Sequence, residues 1–286
     1  MAFSLPREGL TLEFLYSHMQ RTILNPLVTG PLLLSLVYFP QELHSVLPAQ
    51  AQQYLPHLTS KACFTTLKVL LGLGLVRKAN NYFSQLMLNN FNRDSWNHGK
   101  EVVIVTGAGG GIGEAVTRAI ARSSAAVVAL DLKAPEKPFR KNSLPPNVTP
   151  LTGIAPNTHF YRVDITNTGE ISALAEEIRK DHGDPTVLVN NAGVSVCRPI
   201  FKETEEQLRN IFNVNTISHF LLTKEFVPAM AKANHGHVVT VASMGSYSVY
   251  ADNVSYTCSK ASALAFHEGL GQELKHRYNA PKVRTT

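Results

Sequence analysis

The sequence predicts an α/β fold built on a doubly wound parallel sheet, and three observations predict it. Val102 to Gly113, VVIVTGAGGGIG, joins a continuous branched apolar run to a glycine-rich turn and then to a segment with Ala115, Val116, Ala119 and Ile120 on one helical face. From Glu101 onward, apolar runs of strand length alternate with stretches of helical periodicity, the order that lays helices on both faces of a parallel sheet. Asp131 closes the second apolar run about 20 residues beyond the glycine turn.

Residues 1–98 precede this pattern and differ in character. Leu24 to Pro40 is uncharged and mostly apolar, and Phe64 to Val76 is apolar except for Lys68, with Arg77 and Lys78 directly after it. Each is shorter than the roughly 20 residues that cross a bilayer as a helix. Two readings stay open: an interfacial or re-entrant membrane anchor that snorkels through Lys68 and Arg77, or a pair of core helices in a small soluble subdomain. Under the first reading 1–98 is an apolar, helical, membrane-associated extension and 99–286 a separate α/β domain. The apolar run starts too late for a secretory signal peptide.

The elements of the second part follow one another in order. Val102 to Val105 suits a strand buried on both faces. The turn after it needs residues without a Cβ, so that backbone N–H groups can close on a pyrophosphate at the positive end of a helix. A glycine-rich surface loop is the plainer alternative. Ala126 to Leu130 is the second strand. A carboxylate at Asp131 can accept hydrogen bonds from the ribose hydroxyls of NAD and would repel the 2′-phosphate of NADP, although an ordinary solvated acid also fits there.

Pro135 to Pro156, rich in Pro, Asn, Ser and Lys, reads as a surface insertion. His159 to Val163 is a third strand ending at Asp164, and Ile171, Leu174, Ala175 and Ile178 then have the spacing of a helix that covers the sheet. Thr186 to Val189 is a fourth strand running into Asn190-Asn191-Ala192-Gly193, whose small and amide side chains can brace neighbouring strands and let a cofactor approach. A long helix is expected from Thr204 to Lys232, interrupted near Asn213 to Thr216 and again at Pro228. His237 to Ala242 is a fifth strand that delivers Ser243, and a helix beginning near Val254 carries Tyr256 and Lys260 four residues apart on one face.

Composition narrows the function classes. With 44% hydrophobic and 17% charged residues, the chain is an ordered globular one. Its net charge of +6 comes from scattered Lys and Arg with no compact basic helix, which suits solvation and attraction to an anionic membrane surface and not nucleic acid. Cys63, Cys197 and Cys258 form neither a CxxC pair nor a disulfide framework, as in a reducing compartment, where the acceptor patterns at Asn147 and Asn253 would stay unglycosylated. Eleven histidines have no metal-ligand spacing, so no metal is expected, and Cys258 reads as a packing residue.

Taken together, TGAGGGIG at Thr106 to Gly113, Asp164, NNAG at Asn190 to Gly193, Asn215, Ser243, and YTCSK at Tyr256 to Lys260 make the last two-thirds of the chain resemble the short-chain dehydrogenases/reductases. One YxxxK says little; five motifs in order, with Ser243 thirteen residues ahead of Tyr256, carry the resemblance. The apolar extension adds a likeness to the membrane-bound retinol and 17β-hydroxysteroid dehydrogenase branch.

The resemblance implies a Rossmann fold that binds NAD, with NADP the less favoured cofactor, through Thr106, Gly107, Gly109, Gly111, Ile112, Gly113, Asp131, Asp164, Ile165, Asn191, Ala192, Gly193, Tyr256 and Lys260. It implies Asn215, Ser243, Tyr256 and Lys260 as the reaction residues. The chemistry asks for these types independently. Interconverting an alcohol and a carbonyl needs a group that exchanges a proton with the substrate oxygen, and a phenol serves when a nearby cation favours its anion. Hence Lys260 beside Tyr256, with Lys260 also holding the nicotinamide ribose, and Ser243 hydrogen-bonded to the substrate oxygen. By the resemblance Asn215 would hold a water that relays protons from Lys260 to solvent. Taken singly, these four also read as a packed aromatic, a solvated charge, a strand-end hydroxyl and a helix interruption.

Val283 to Thr286 looks like the start of the family's sixth strand, so the domain is expected to be C-terminally incomplete, without its last strand and helix. Two functions are expected. One is an oxidoreductase acting between NAD(H) and the alcohol or carbonyl of a lipophilic substrate such as a retinoid, steroid or long-chain alcohol. It would work on the cytosolic face of the endoplasmic reticulum or on a lipid droplet, as a homodimer through its two long helices. The other is a catalytically inactive, truncated nucleotide-binding or protein-binding relic.

Overall fold

A computed structural model describes residues 11–40, 42, 59–92, 94–97, 99–123, 125–136 and 158–286. Its contacts separate two units, one up to Phe91 and one from Asn92 onward. The first unit is helical: α1 (Leu12–Arg21), α2 (Pro26–Tyr38) and α3 (Lys61–Leu88). Each starts where a polar side chain can satisfy a free backbone N–H. Thr11 accepts from Phe14, Asn25 from Leu27 and Ser60 from Cys63. α2 packs on α3, and a methyl group on Gly74 would lie 2.6 Å from the Leu24 carbonyl oxygen, so the close approach needs a glycine.

α3 runs well past the apolar stretch Phe64–Val76, to Leu88. No helix among the described residues is long and apolar enough to cross a membrane. Yet α2 has no charged residue and α3 no acidic one, and Leu27, Leu34, Leu73, Val76 and Leu88 all lie more than half exposed.

The second unit is built on six parallel strands, β1 (Val102–Thr106), β2 (Ala126–Asp131), β3 (Thr158–Arg162), β4 (Val187–Asn190), β5 (His237–Thr240) and β6 (Arg284–Thr285), in the order β3-β2-β1-β4-β5-β6. Among the described residues five α-helices accompany them: α4 (Gly111–Ile120), α5 (Thr168–His182), α6 (Glu205–Phe212), α7 (Ser218–Ala233) and α8 (Val254–His276). The branched runs of β1 and β2 are buried on both faces, as uninterrupted apolar strands must be. Ile104 pairs with Val128 and Leu188, and on that face they meet Ile171 and Ile178 of α5, Phe226 of α7 and Leu270 of α8. The opposite face packs Val103, Val105, Val127 and Val189 against Val116 and Ile120 of α4. Each such side chain stabilises the fold by about 1.5–3 kcal/mol.

Several expectations are corrected. β3 begins one residue earlier than expected, and β4 begins one residue later, at Val187, because the Thr186 hydroxyl takes the Val102 N–H (3.1 Å) that a strand carbonyl would accept. The interruption expected near Asn213 to Thr216 is a π-helical turn, Asn213–Ile217, between two helices. Pro228 does not interrupt α7: it lies on the exposed side with Lys224, whose carbonyl would be its helical partner and can meet water instead. The sixth strand expected at Val283 to Thr286 is present as the two-residue edge strand β6, which pairs His237 with Arg284 and Val238 with Thr285. Most of Pro135–Pro156, including Asn147, lies outside the described residues.

Candidate active site

The strand order reverses at β1, whose neighbours are β2 and β4, and a doubly wound sheet opens its binding crevice at such a switch point. The turn after β1 enters this crevice. Gly107 (φ +67°) and Gly111 (φ +56°) occupy the left-handed region that favours glycine. A side chain on Gly109 would meet the Lys133 carbonyl oxygen at 2.1 Å, and one on Gly113 the Gly107 carbonyl oxygen at 2.1 Å. No side chain caps α4, so its first N–H groups face the crevice bare. Asp131 stands beside the turn, its Oδ2 accepting the Gly109 N–H (2.9 Å) and its Oδ1 that of Lys133 (3.0 Å). Each oxygen keeps acceptor capacity for a hydroxyl. A bare cradle with an acid at its side fits a dinucleotide.

The expected cofactor residues divide by what their side chains already do. Thr106 is buried and its hydroxyl is fully engaged, donating to the Val189 carbonyl and accepting from the N–H groups of Asn191 and Ala192. Asn191 reaches back to the carbonyls of Thr106 and Gly107. These two brace β1 to the end of β4. Asp164 accepts from the Thr166 N–H and hydroxyl. Ile165 packs into the core, so its side chain is a structural one, whereas Ile112 is exposed at the start of α4.

Two of the four expected reaction residues, Asn215 and Lys260, meet at Gly193. A methyl group there would lie 3.3 Å from Asn215 Oδ1 and 3.5 Å from Lys260 Nζ. Asn215, fully buried in the π-helical turn, accepts the Val194 N–H at 2.8 Å and donates to the Val194 carbonyl and to Ser259 Oγ, both at 2.9 Å. This narrows the expected water-holding role, since only one acceptor position on Oδ1 stays open. Lys260 is buried and donates to the Val241 carbonyl at 2.6 Å, with two donors to spare, and burial lowers its pKa. Tyr256 stands one turn earlier on the same face of α8, half-buried. Ser243 accepts the Gly245 N–H at 3.0 Å, which leaves its hydroxyl proton free to donate.

The profile of the short-chain dehydrogenases matches residues 101–283. The chain belongs to that family. The dehydrogenase RED2 of Cochliobolus heterostrophus is 44% identical over 72% of this chain and 73% of its own length. Human estradiol 17-beta-dehydrogenase 11 is 36% identical over 61% of this chain, which spans 56% of that relative. Among solved structures, a metagenomic short-chain oxidoreductase in complex with NADP is 27% identical with a TM-score of 0.56, covering 65% of this chain and 79% of that one. The family's enzymes are NAD(P)-dependent oxidoreductases of alcohol and carbonyl groups, and its sheet is the Rossmann sheet seen here.

Sequence reasoning missed Ser259, Val194 and Val241, which hold Asn215 and Lys260 in place. Ser259 was open to notice inside YTCSK; the two backbone partners left no trace in residue type. His219 was missed as well. It is buried one turn beyond Asn215, and burial and then the Lys260 cation lower its pKa to about 4.

Proposed function

We propose that this chain transfers hydride between NAD(H) and the alcohol or carbonyl carbon of a lipophilic substrate, with Tyr256 exchanging the proton. The observation that carries this reading is the convergence of Lys260 and Asn215 on Gly193, with Tyr256 one helical turn from Lys260. Bound NAD(H) supplies or accepts the hydride. In reduction the Tyr256 hydroxyl gives its proton to the carbonyl oxygen, and in oxidation it takes the alcohol proton. The Lys260 cation favours the phenolate at that step. Ser243 donates to the substrate oxygen where negative charge develops.

Asp131 favours NAD over NADP, because its carboxylate would repel a 2′-phosphate. Exposed Phe201, Met244 and Tyr247 on the loops after β4 and β5 favour a lipophilic substrate of the retinoid, steroid or long-chain alcohol kind. The apolar surfaces of α2 and α3 favour work at a membrane or lipid-droplet surface, on its cytosolic side. The groove of about 790 Å³ between α7 and α8, lined by Phe220, Val227, Phe266 and Leu270, favours a homodimer.

The test is fluorescence titration with NADH and NADPH, followed by turnover on retinaldehyde and a ketosteroid. NADH should bind at least about tenfold more tightly, a difference of about 1.4 kcal/mol. Tyr256→Phe should keep NADH binding and lose at least about a hundredfold in kcat. Equal affinity for the two cofactors would remove the role of Asp131, and unchanged kcat that of Tyr256.

A further inference from the structure

Two loops flank Tyr256, and both are tied to the first turn of α8. The loop after β4 carries Ile200 and Phe201, the latter fully exposed; the loop after β5 carries exposed Met244, Tyr247, Val249 and Tyr250. Asn253 stands at the N-cap of α8 yet makes no side-chain cap. An asparagine cap would stabilise the helix by about 1 kcal/mol, so its use elsewhere needs a reason. Its Oδ1 accepts from Ser195 Oγ on the first loop (3.4 Å), and its Nδ2 donates to the Tyr250 hydroxyl on the second (2.9 Å). Beside it Ser255 donates to Glu203 Oε1 at 2.5 Å, which brings a carboxylate of the first loop to the positive end of α8. Asn253 is 6% and Ser255 5% exposed, so the α8 ends of these bonds are buried while Ser195 and Tyr250 stand exposed on their loops.

We propose that Asn253 and the Glu203–Ser255 bond form a latch that holds both apolar loops against the first turn of α8 and so fixes Tyr256 in its reacting position. Asn253, Ser255 and Glu203 are positioning residues. The catalytic part rests on the reading of Tyr256 given above; the ordering part does not. The chain connects Ser255 directly to Tyr256, and Glu203 directly to the turn that bears Phe201, so the bond couples the apolar rim to the reacting hydroxyl.

Hydrogen exchange on the full chain reads the latch without any substrate. Asn253→Ala and Glu203→Ala should each speed exchange in 195–203, 247–252 and 254–258 by about tenfold or more, with β1 and α4 unchanged. Glu203→Gln, whose amide oxygen still accepts from Ser255, should exchange as the wild type does. NADH affinity should stay within about twofold in all three, while kcat falls about tenfold in the alanine variants and returns in Glu203→Gln. Unchanged exchange in the alanine variants would overturn the latch, and faster exchange with unchanged kcat would overturn its role in positioning. If the wild type turned over no alcohol or carbonyl, the Tyr256 reading would fail, and exchange would still decide the latch.

Discussion

His219 sits 1% exposed beside Phe266, its two ring nitrogens without a hydrogen-bond partner among the described residues. With its pKa lowered to about 4, it stays neutral in the folded chain while the unfolded chain takes up a proton below about pH 6.5. Stability therefore falls as pH drops from about 6.5 to about 4, by up to about 3 kcal/mol. His219→Phe keeps the ring and removes the unsatisfied nitrogens, so it should flatten that acid limb and leave stability at pH 7 equal or higher, read from urea midpoints. An unchanged limb would assign the dependence to other groups. His235 works with the opposite sign: burial lowers its pKa, but bonds to Asp94 (2.5 Å) and Glu101 (3.3 Å) more than offset this and raise it. Its contribution is present below about pH 6.5 and is lost as pH rises through the raised value. Neither environment was legible in the sequence, since burial and partners come from segments distant in the chain.

At the scale of elements, the glycine turn was the most legible feature. Its residue types are demanded locally, by positive φ at Gly107 and Gly111 and by backbone contact at Gly109 and Gly113. Gly113→Ala should cost about 1–3 kcal/mol and weaken NADH binding at least about tenfold, because the new methyl meets the Gly107 carbonyl. Gly269→Ala in α8, where a methyl meets nothing within 4 Å, should instead stabilise by about 0.5–1 kcal/mol. Thermal unfolding and cofactor titration of the two variants separate the cases; equal effects would mean that helix propensity alone decides. The strands were legible from their branched runs, with ends shifted by one or two residues where a hydroxyl or a turn claims the backbone. The π-helical turn was legible only as an interruption. Its extra residue carries Asn215 into the interior, where the amide reaches Val194 and Ser259.

For the whole molecule, flotation tests the proposed membrane surface. The full chain should float with vesicles that contain anionic lipid, and Leu27→Glu, Leu73→Glu and Val76→Glu together should abolish flotation while NADH affinity stays unchanged. These side chains are exposed, so the substitutions leave packing intact. Flotation of the triple variant would move the contact away from α2 and α3. The sequence left membrane anchor and soluble subdomain both open, because apolar segments of this length bury equally well in lipid or protein. The exposed faces of α2 and α3 are what favour lipid.

The sequence by itself determined the sheet, its order of elements and the glycine turn at the end of β1. Periodicity, branched runs and Cβ-free turns act over a few residues and are written in residue type. Tertiary structure alone decided how Asn215 and the first turn of α8 are held. The bonds from Asn215 to Val194 and Ser259, and from Asn253 to Ser195, join residues 21, 44 and 58 positions apart. Such bonds exist only where the parallel crossovers bring the ends of β4, β5 and α8 together, and nothing local in the chain specifies which side chain will meet which backbone group.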